Sequence, residues 1–147
     1  MADDKIDIAS IDMTPEQFAE MVRATSDSEI ETGIRTAGTE AVLDRIFQGM
    51  QERFLPEKAT DVTADIVWVV TDQGNEYPYT LSVSAGAATV KNGRADAPRV
   101  TLTAALVPFL RLIAGQENGV QLFMKGALKV TGDLMFSQRV QTFFAQP

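Results

Sequence analysis

Between Val62 and Thr103 apolar residues recur at every second position, and on both sides of that stretch they recur at helical spacing. This change of period confines the chain to a mixed helix-and-strand fold. Ala64, Ile66, Trp68 and Val70 fall on one side of the first alternating run, with Asp65, Val67, Val69 and Thr71 on the other. Asp72-Gln73-Gly74-Asn75 marks a turn, after which Tyr77, Tyr79, Leu81 and Val83 alternate with Thr80, Ser82 and Ser84, so a hairpin is predicted. Ala88 to Lys91 with the turn Asn92-Gly93, and then Val100 to Thr103, give a third and a fourth strand. Such a meander predicts a largely antiparallel sheet with one face available for burial.

The flanks read as helices. Thr14-Pro15-Glu16-Gln17 has the form of a capped helix start that places Phe18, Met21 and Val22 on one face. Ser26 and Glu29 repeat the capping-box spacing and open a segment through Ile34 that Gly38 ends. From Thr39 a longer helix carries Val42, Leu43, Ile46, Phe47, Met50 and Phe54 and stops before Pro56. After the strands, Ala104 to Ala114 is an apolar helix in which Pro108 forces either a kink or a start delayed to about Val107. Asn118 caps a further short helix ending at Gly126, Leu128 to Thr131 is a last strand, and Asp133 caps a C-terminal helix. The fold class is therefore α+β.

A chain of 147 residues, 45% hydrophobic and 22% charged, suffices for one core without disulfide or metal staples. It contains no cysteine and no histidine, which removes thiol nucleophiles, histidine triads, Cys/His zinc sites and the commonest haem ligands. No metal, cofactor or catalytic residue is predicted. A net charge of −7 argues against a nucleic-acid partner. No run reaches the roughly 18 apolar residues of a membrane span, and the acidic opening Met1-Ala2-Asp3-Asp4-Lys5 differs from a secretory signal, so a cytoplasmic location is expected. The charge is uneven: residues 104–147 carry four basic and two acidic side chains, so this third alone could approach an anionic surface.

The run Phe123-Met124-Lys125-Gly126-Ala127-Leu128-Lys129-Val130-Thr131-Gly132-Asp133 resembles the signature of the sterol carrier protein 2 family. Val90-Lys91-Asn92-Gly93, the strand Val100-Thr101-Leu102-Thr103, Phe109 and Gly115 match it in order and spacing, so the resemblance spans about residues 40–144. Arg99 stands where the family often has an Asp, and Ala105-Leu106-Val107-Pro108 where it has polar residues. The resemblance implies a five-stranded, mostly antiparallel sheet covered by helices around an apolar tunnel. It also implies binding of fatty acyl chains, acyl-CoA, phospholipid or sterol. Residues 39–147 would form that lipid-binding domain, with residues 1–38 an N-terminal helical extension.

On this reading Phe109, Leu112, Ile113, Phe123 and Met124, on the two helices where the family's tunnel has much of its lining, are candidate ligand contacts, as are Met135, Phe136, Val140 and Phe143 on the last helix. Packing against the sheet is the competing role for each, and Trp68 is read as core. Because it ends in Phe143-Phe144 and is accompanied by Lys125, Lys129 and Arg139, the C-terminal segment is expected to fray, gate the cavity and touch membranes transiently. Two other functions are open. One is an enzyme using Tyr77 or Tyr79 beside a carboxylate of raised pKa. The other is a regulatory module that docks or oligomerises through residues 1–35.

Overall fold

The computed structural model describes residues 15–144. Three helices come first: α1 (Pro15–Arg23), α2 (Asp27–Ala37) and α3 (Thr39–Glu52). Thr14, expected to cap α1, lies outside the described residues. The capping box of α2 is formed, with the Ser26 hydroxyl accepting from the Glu29 amide and the Glu29 carboxylate accepting in return from the Ser26 amide. A single 3-10 turn, Pro56–Lys58, leads into the strands β1 (Ala64–Asp72), β2 (Asn75–Ser84), β3 (Ala87–Asn92) and β4 (Val100–Ala105). Helices α4 (Leu106–Ile113) and α5 (Gly119–Lys125), strand β5 (Leu128–Gly132), helix α6 (Leu134–Val140) and a closing 3-10 turn, Gln141–Phe143, complete the chain.

The five strands form one sheet in the order β3-β2-β1-β4-β5. The β1–β2 link is the two-residue turn Gln73-Gly74, with φ of 54° and 81°, the doubly positive turn that suits a tight hairpin. The fourth strand departs from a simple meander. It does not pair with β3 but lies parallel to β1, with Ile66 opposite Val100 and Trp68 opposite Leu102. The remaining pairs are antiparallel, so the sheet is mostly antiparallel as expected. Residues 93–99 make this crossing, and their anchors show its path: Thr80 Oγ1 donates to Gly93 O at 2.7 Å and accepts from the Ala95 amide at 2.9 Å, and the Arg99 amide donates to Asp65 O at 2.9 Å. Thr80 and Asp65 belong to the sheet's more polar side. The crossing there accounts for the burial of Val67 and Val69, which sit outside the main apolar cluster.

On the opposite side, Ile66, Trp68, Val70, Tyr79, Leu81, Val83, Val100 and Leu102 meet the helices in one core. Its centre is a column of rings: Phe47 stacks on Tyr79 at 4.1 Å and on Phe109 at 5.3 Å, and Phe109 meets Trp68 edge-on at 5.4 Å. Ala19 and Val22 of α1 and Ile30 and Ile34 of α2 are buried in the same cluster. Arg111 of α4 fastens these helices, donating to the carbonyls of Val22 and Thr25, each at 3.2 Å, to the Asp27 carboxylate and to the Gln116 side chain at 2.8 Å. Pro108 is the third residue of α4, where its missing N–H leaves no helical bond unmade, so the helix begins late at Leu106 rather than kinking.

The C-terminal segment is anchored, contrary to the expected fraying. Val140 and Phe143 are 1% and 0% exposed. The Phe143 carbonyl accepts from the Leu55 amide at 2.6 Å, and Phe144 bridges to Phe54. The end of the chain is core because Phe143 and Phe144 pack edge-on against Phe54, the residue that follows α3 by two.

Candidate ligand cavity

The register of the sheet places Trp68 between Tyr79 of β2 and Leu102 of β4, with Val130 of β5 beyond Leu102, all facing the helices. Helices α4, α5 and α6 are short and do not tile this side completely. Two cavities stand out among the described residues. The larger, about 350 Å³, lies between the end of α3, the end of α4, the 115–118 turn and the start of the last 3-10 turn, where Met50, Leu112, Ile113, Val140 and Phe144 supply apolar surface and Arg53, Gln116, Glu117, Asn118, Gln121 and Gln141 polar surface. The smaller, about 70 Å³, is mostly apolar and lies under α5 and α6 against Leu102, Leu128 and Val130. Trp68, Leu112, Val140 and Gln141 line both, and so form the wall the two share.

Gly119 leaves room for one part of this wall. A Cβ there would come within 2.0 Å of the Gln141 amide nitrogen, so the helix has no side chain where the Gln141 carboxamide lies between α5 and α6. Gly132 plays a second such part: at φ +105° its missing Cβ would stand 2.6 Å from Arg99 O. That close approach lets the Asp133 amide donate to Arg99 O at 3.0 Å, while the Asp133 carboxylate caps α6 by accepting from the Phe136 amide at 2.9 Å. The Arg99 guanidinium pairs with Asp133 at 3.1 Å and covers the Phe136 ring at 4.0 Å.

Of the residues singled out from the sequence, Leu112 and Val140 line both cavities, Ile113 the larger and Phe123 the smaller. Phe109, Phe136 and Phe143 are buried behind that lining, Phe109 against Trp68 and Phe136 beside Phe143 with rings 5.9 Å apart. Met124 and Met135 are 80% and 76% exposed, each next in sequence to a residue of the smaller cavity's rim. Val120, Phe123 and Leu134 are also exposed there, so apolar side chains surround this opening. The three basic residues expected to act together are apart. Lys125 ends α5 and reaches Glu117, Lys129 pairs across to Thr103 on the sheet side away from the cavities, and Arg139 pairs with Asp61 at 3.1 Å.

Sequence reasoning missed Arg53 and Gln141 and preferred core to a ligand platform for Trp68. Trp68 is core, at 4% exposure, yet it also lines both cavities. Arg53 places a cation in the larger cavity's wall, where no charge was expected, and makes no ion pair among the described residues. Burial lowers its pKa from the ordinary value, with the Glu16 carboxylate opposing the shift. The one signal was position: each is a polar residue beside an apolar helical stripe, Arg53 between Met50 and Phe54 and Gln141 after Val140. The tyrosines belong elsewhere. Tyr79 donates to Asp44 Oδ1 at 2.6 Å, and burial, followed by this bond to a carboxylate, pushes its pKa upward. Among the described residues no group of three or more carboxylates could hold a metal ion, and no helix is long and apolar enough to cross a membrane.

A five-stranded, mostly antiparallel sheet with an apolar space between one face and short helices defines an α+β binding fold. Residues 43–145 match the model of the SCP-2 sterol transfer family, and the chain belongs to that family. It is 26% identical over 102 residues to the oleate-induced peroxisomal protein POX18 of Candida maltosa, a match covering 67% of this chain and 80% of that protein. Among solved structures it is similar to palmitated SCP2L2 from Aedes aegypti (TM-score 0.57, 15% identity, 68% of this chain and 91% of that one). It is also similar to the inverting sec-alkylsulfatase Pisa1 from Pseudomonas sp. (TM-score 0.64, 16% identity, 78% of this chain). This chain spans only 17% of the alkylsulfatase, so that likeness concerns the fold of one part of it. Membership of the family carries lipid or sterol binding and transfer as its general property.

Proposed function

We propose that this protein binds and carries a single hydrophobic ligand, a fatty acyl chain, acyl-CoA, phospholipid or sterol, in the space around Trp68, and performs no chemistry on it. The observation that carries this reading is the pair of cavities sharing the Trp68, Leu112 and Val140 wall, one apolar and opening among exposed apolar side chains, the other with polar groups at its edge. An amphiphile suits such a gradient with its polar end toward the 115–118 turn and its tail toward the apolar space under α5 and α6, which at about 70 Å³ has to widen to admit a long chain. Each buried methylene contributes about 0.8 kcal/mol before ordering and association costs are subtracted.

The exposed ring of Val120, Phe123, Met124, Leu134 and Met135 is where the ligand enters and where the protein touches a membrane during exchange. This moves the contact from the end of the C-terminal helix, which is buried, to α5 and the first turn of α6. Native mass spectrometry of the purified chain, followed by titration with fatty acids of increasing length, tests the reading. Co-purifying lipid and an affinity that rises with chain length are expected. A ligand-free protein whose affinity is flat from short to long chains would overturn it.

A further inference from the structure

The polar groups around the larger cavity are not equivalent. Gln116 accepts from Arg111 at 2.8 Å and donates to Ala19 O at 3.2 Å, Glu117 is held by Lys125, and Asn118 caps α5. Their hydrogen bonds serve the fold. Trp68 is different. Its indole Nε1–H is, among the described residues, the single buried side-chain nitrogen or oxygen without a hydrogen-bond partner. Buried polar groups left unpaired are rare enough to need a reason, and a ligand or an ordered water are the usual ones. This one sits on the central strand, in the side chain that lines both cavities, beside Leu112, Val140 and Gln141.

We infer that Trp68 determines ligand selectivity: its indole N–H donates a hydrogen bond to an oxygen of the bound molecule, so the site prefers oxygen-bearing amphiphiles to plain hydrocarbons of the same length. This inference rests on the carrier reading and adds to it a specific polar contact in the wall the two cavities share. The nitrogen is buried, so an acceptor reaches it as the shared wall opens. Gln141 contributes the long, unbranched side chain of that wall, lying in the space Gly119 leaves for it. The acceptor is a hydroxyl, ester or carboxylate oxygen, all of which suit a single N–H donor. Arg53, in the same cavity wall, adds to the attraction when that oxygen is charged.

The chain has one tryptophan, so its indole gives a single resonance that reports on this bond directly. The experiment titrates the full chain, ¹⁵N-labelled, with hexadecane, hexadecanol, methyl palmitate and palmitate, following the indole N–H shift and its exchange with solvent. The three oxygen-bearing probes should move the indole proton downfield and slow its exchange, while hexadecane binds without doing either. In Trp68→Phe the ratio of hexadecanol to hexadecane affinity should fall roughly three- to tenfold, the worth of one net hydrogen bond. Equal indole shifts with hexadecane and hexadecanol, or an unchanged affinity ratio in the variant, would overturn the inference and leave the carrier reading standing. An indole proton already at a hydrogen-bonded chemical shift without any probe, with no further change on binding, overturns it too, since another acceptor such as a structural water then holds the N–H. Should none of the probes bind, both readings fall. The titration of the unmodified chain decides the matter even if the variant folds poorly.

Discussion

Asp133 shows how one side chain can be read correctly from sequence and still hold more than sequence reveals. Its place after Gly132 and before an apolar stripe identified it as a cap rather than a catalytic carboxylate, and it does accept from the Phe136 amide. Its pairing with Arg99, 34 residues away, had no local signal. Both contacts favour the ionised form, first the Phe136 amide and then the Arg99 hydrogen bond, so its pKa lies below the ordinary 3.8 in the folded chain. A carboxylate depressed in this way stabilises the fold fully above the unfolded value and loses that contribution as pH falls through the folded one. Asp61, lowered chiefly by its hydrogen bond to Arg139, acts in the same direction. Asp133→Asn keeps a cap acceptor but cannot titrate, so its melting temperature should depend less on pH than the parent's in the window below about pH 4. Asp133→Ala should melt lower at every pH above that window and leave ligand affinity unchanged. Thermal scans from pH 2 to 7 check both, and equal pH dependence in parent and Asn variant would show that the carboxylate does not contribute.

Among elements, those written in local chemistry were legible and those set by long-range pairing were not. The Ser26–Glu29 box, the Gln73-Gly74 turn and the Asn118 cap each follow from a few adjacent residues. The crossing of β4 to the far side of β1 does not, because residues 93–99 carry only loop chemistry and their anchors, Thr80 and Asp65, lie in other strands. The lining was half legible for a similar reason. Helical periodicity marks which residues face inward, but it does not separate those against the cavity, such as Leu112, from those against other rings, such as Phe109 and Phe143. The exposed methionines of α5 and α6 give this scale its test. Met124 and Met135 are largely in solvent, so replacing both with Ser should change stability by no more than about 0.5 kcal/mol each. If α5 and α6 meet the bilayer, transfer of a fluorescent acyl chain to vesicles should slow several-fold while equilibrium affinity holds. Unchanged transfer rates would place the contact elsewhere.

For the molecule as a whole, the decisive question is whether the first two helices are an accessory or part of the fold. The family match begins at residue 43, beyond both of them. Yet Val22, Ile30 and Ile34 are buried to 1%, 3% and 0% exposure in the cluster that contains Phe47 and Phe109. Three such side chains contribute about 5–9 kcal/mol of gross burial at 1.5–3 kcal/mol each. That is comparable with the whole stability of a typical domain, about 5–15 kcal/mol, though shedding the helices also removes the entropy cost of ordering them. Removal would further strip Arg111, whose side chain is 19% exposed, of the Val22 and Thr25 carbonyls and the Asp27 carboxylate. Of its partners named above only the Gln116 side chain would remain, and losing most of the acceptors of an arginine built into a helix junction is costly. Deleting residues 1–38 is therefore expected to abolish the cooperative melt, or to lower its midpoint by well over ten degrees, rather than to trim an independent arm. Arg111→Met in the full chain separates the two causes: it keeps the length of the side chain and removes the charge, so it should cost less than the deletion. A deletion that melts cooperatively near the parent temperature and still binds lipid would show that α1 and α2 decorate a domain complete without them.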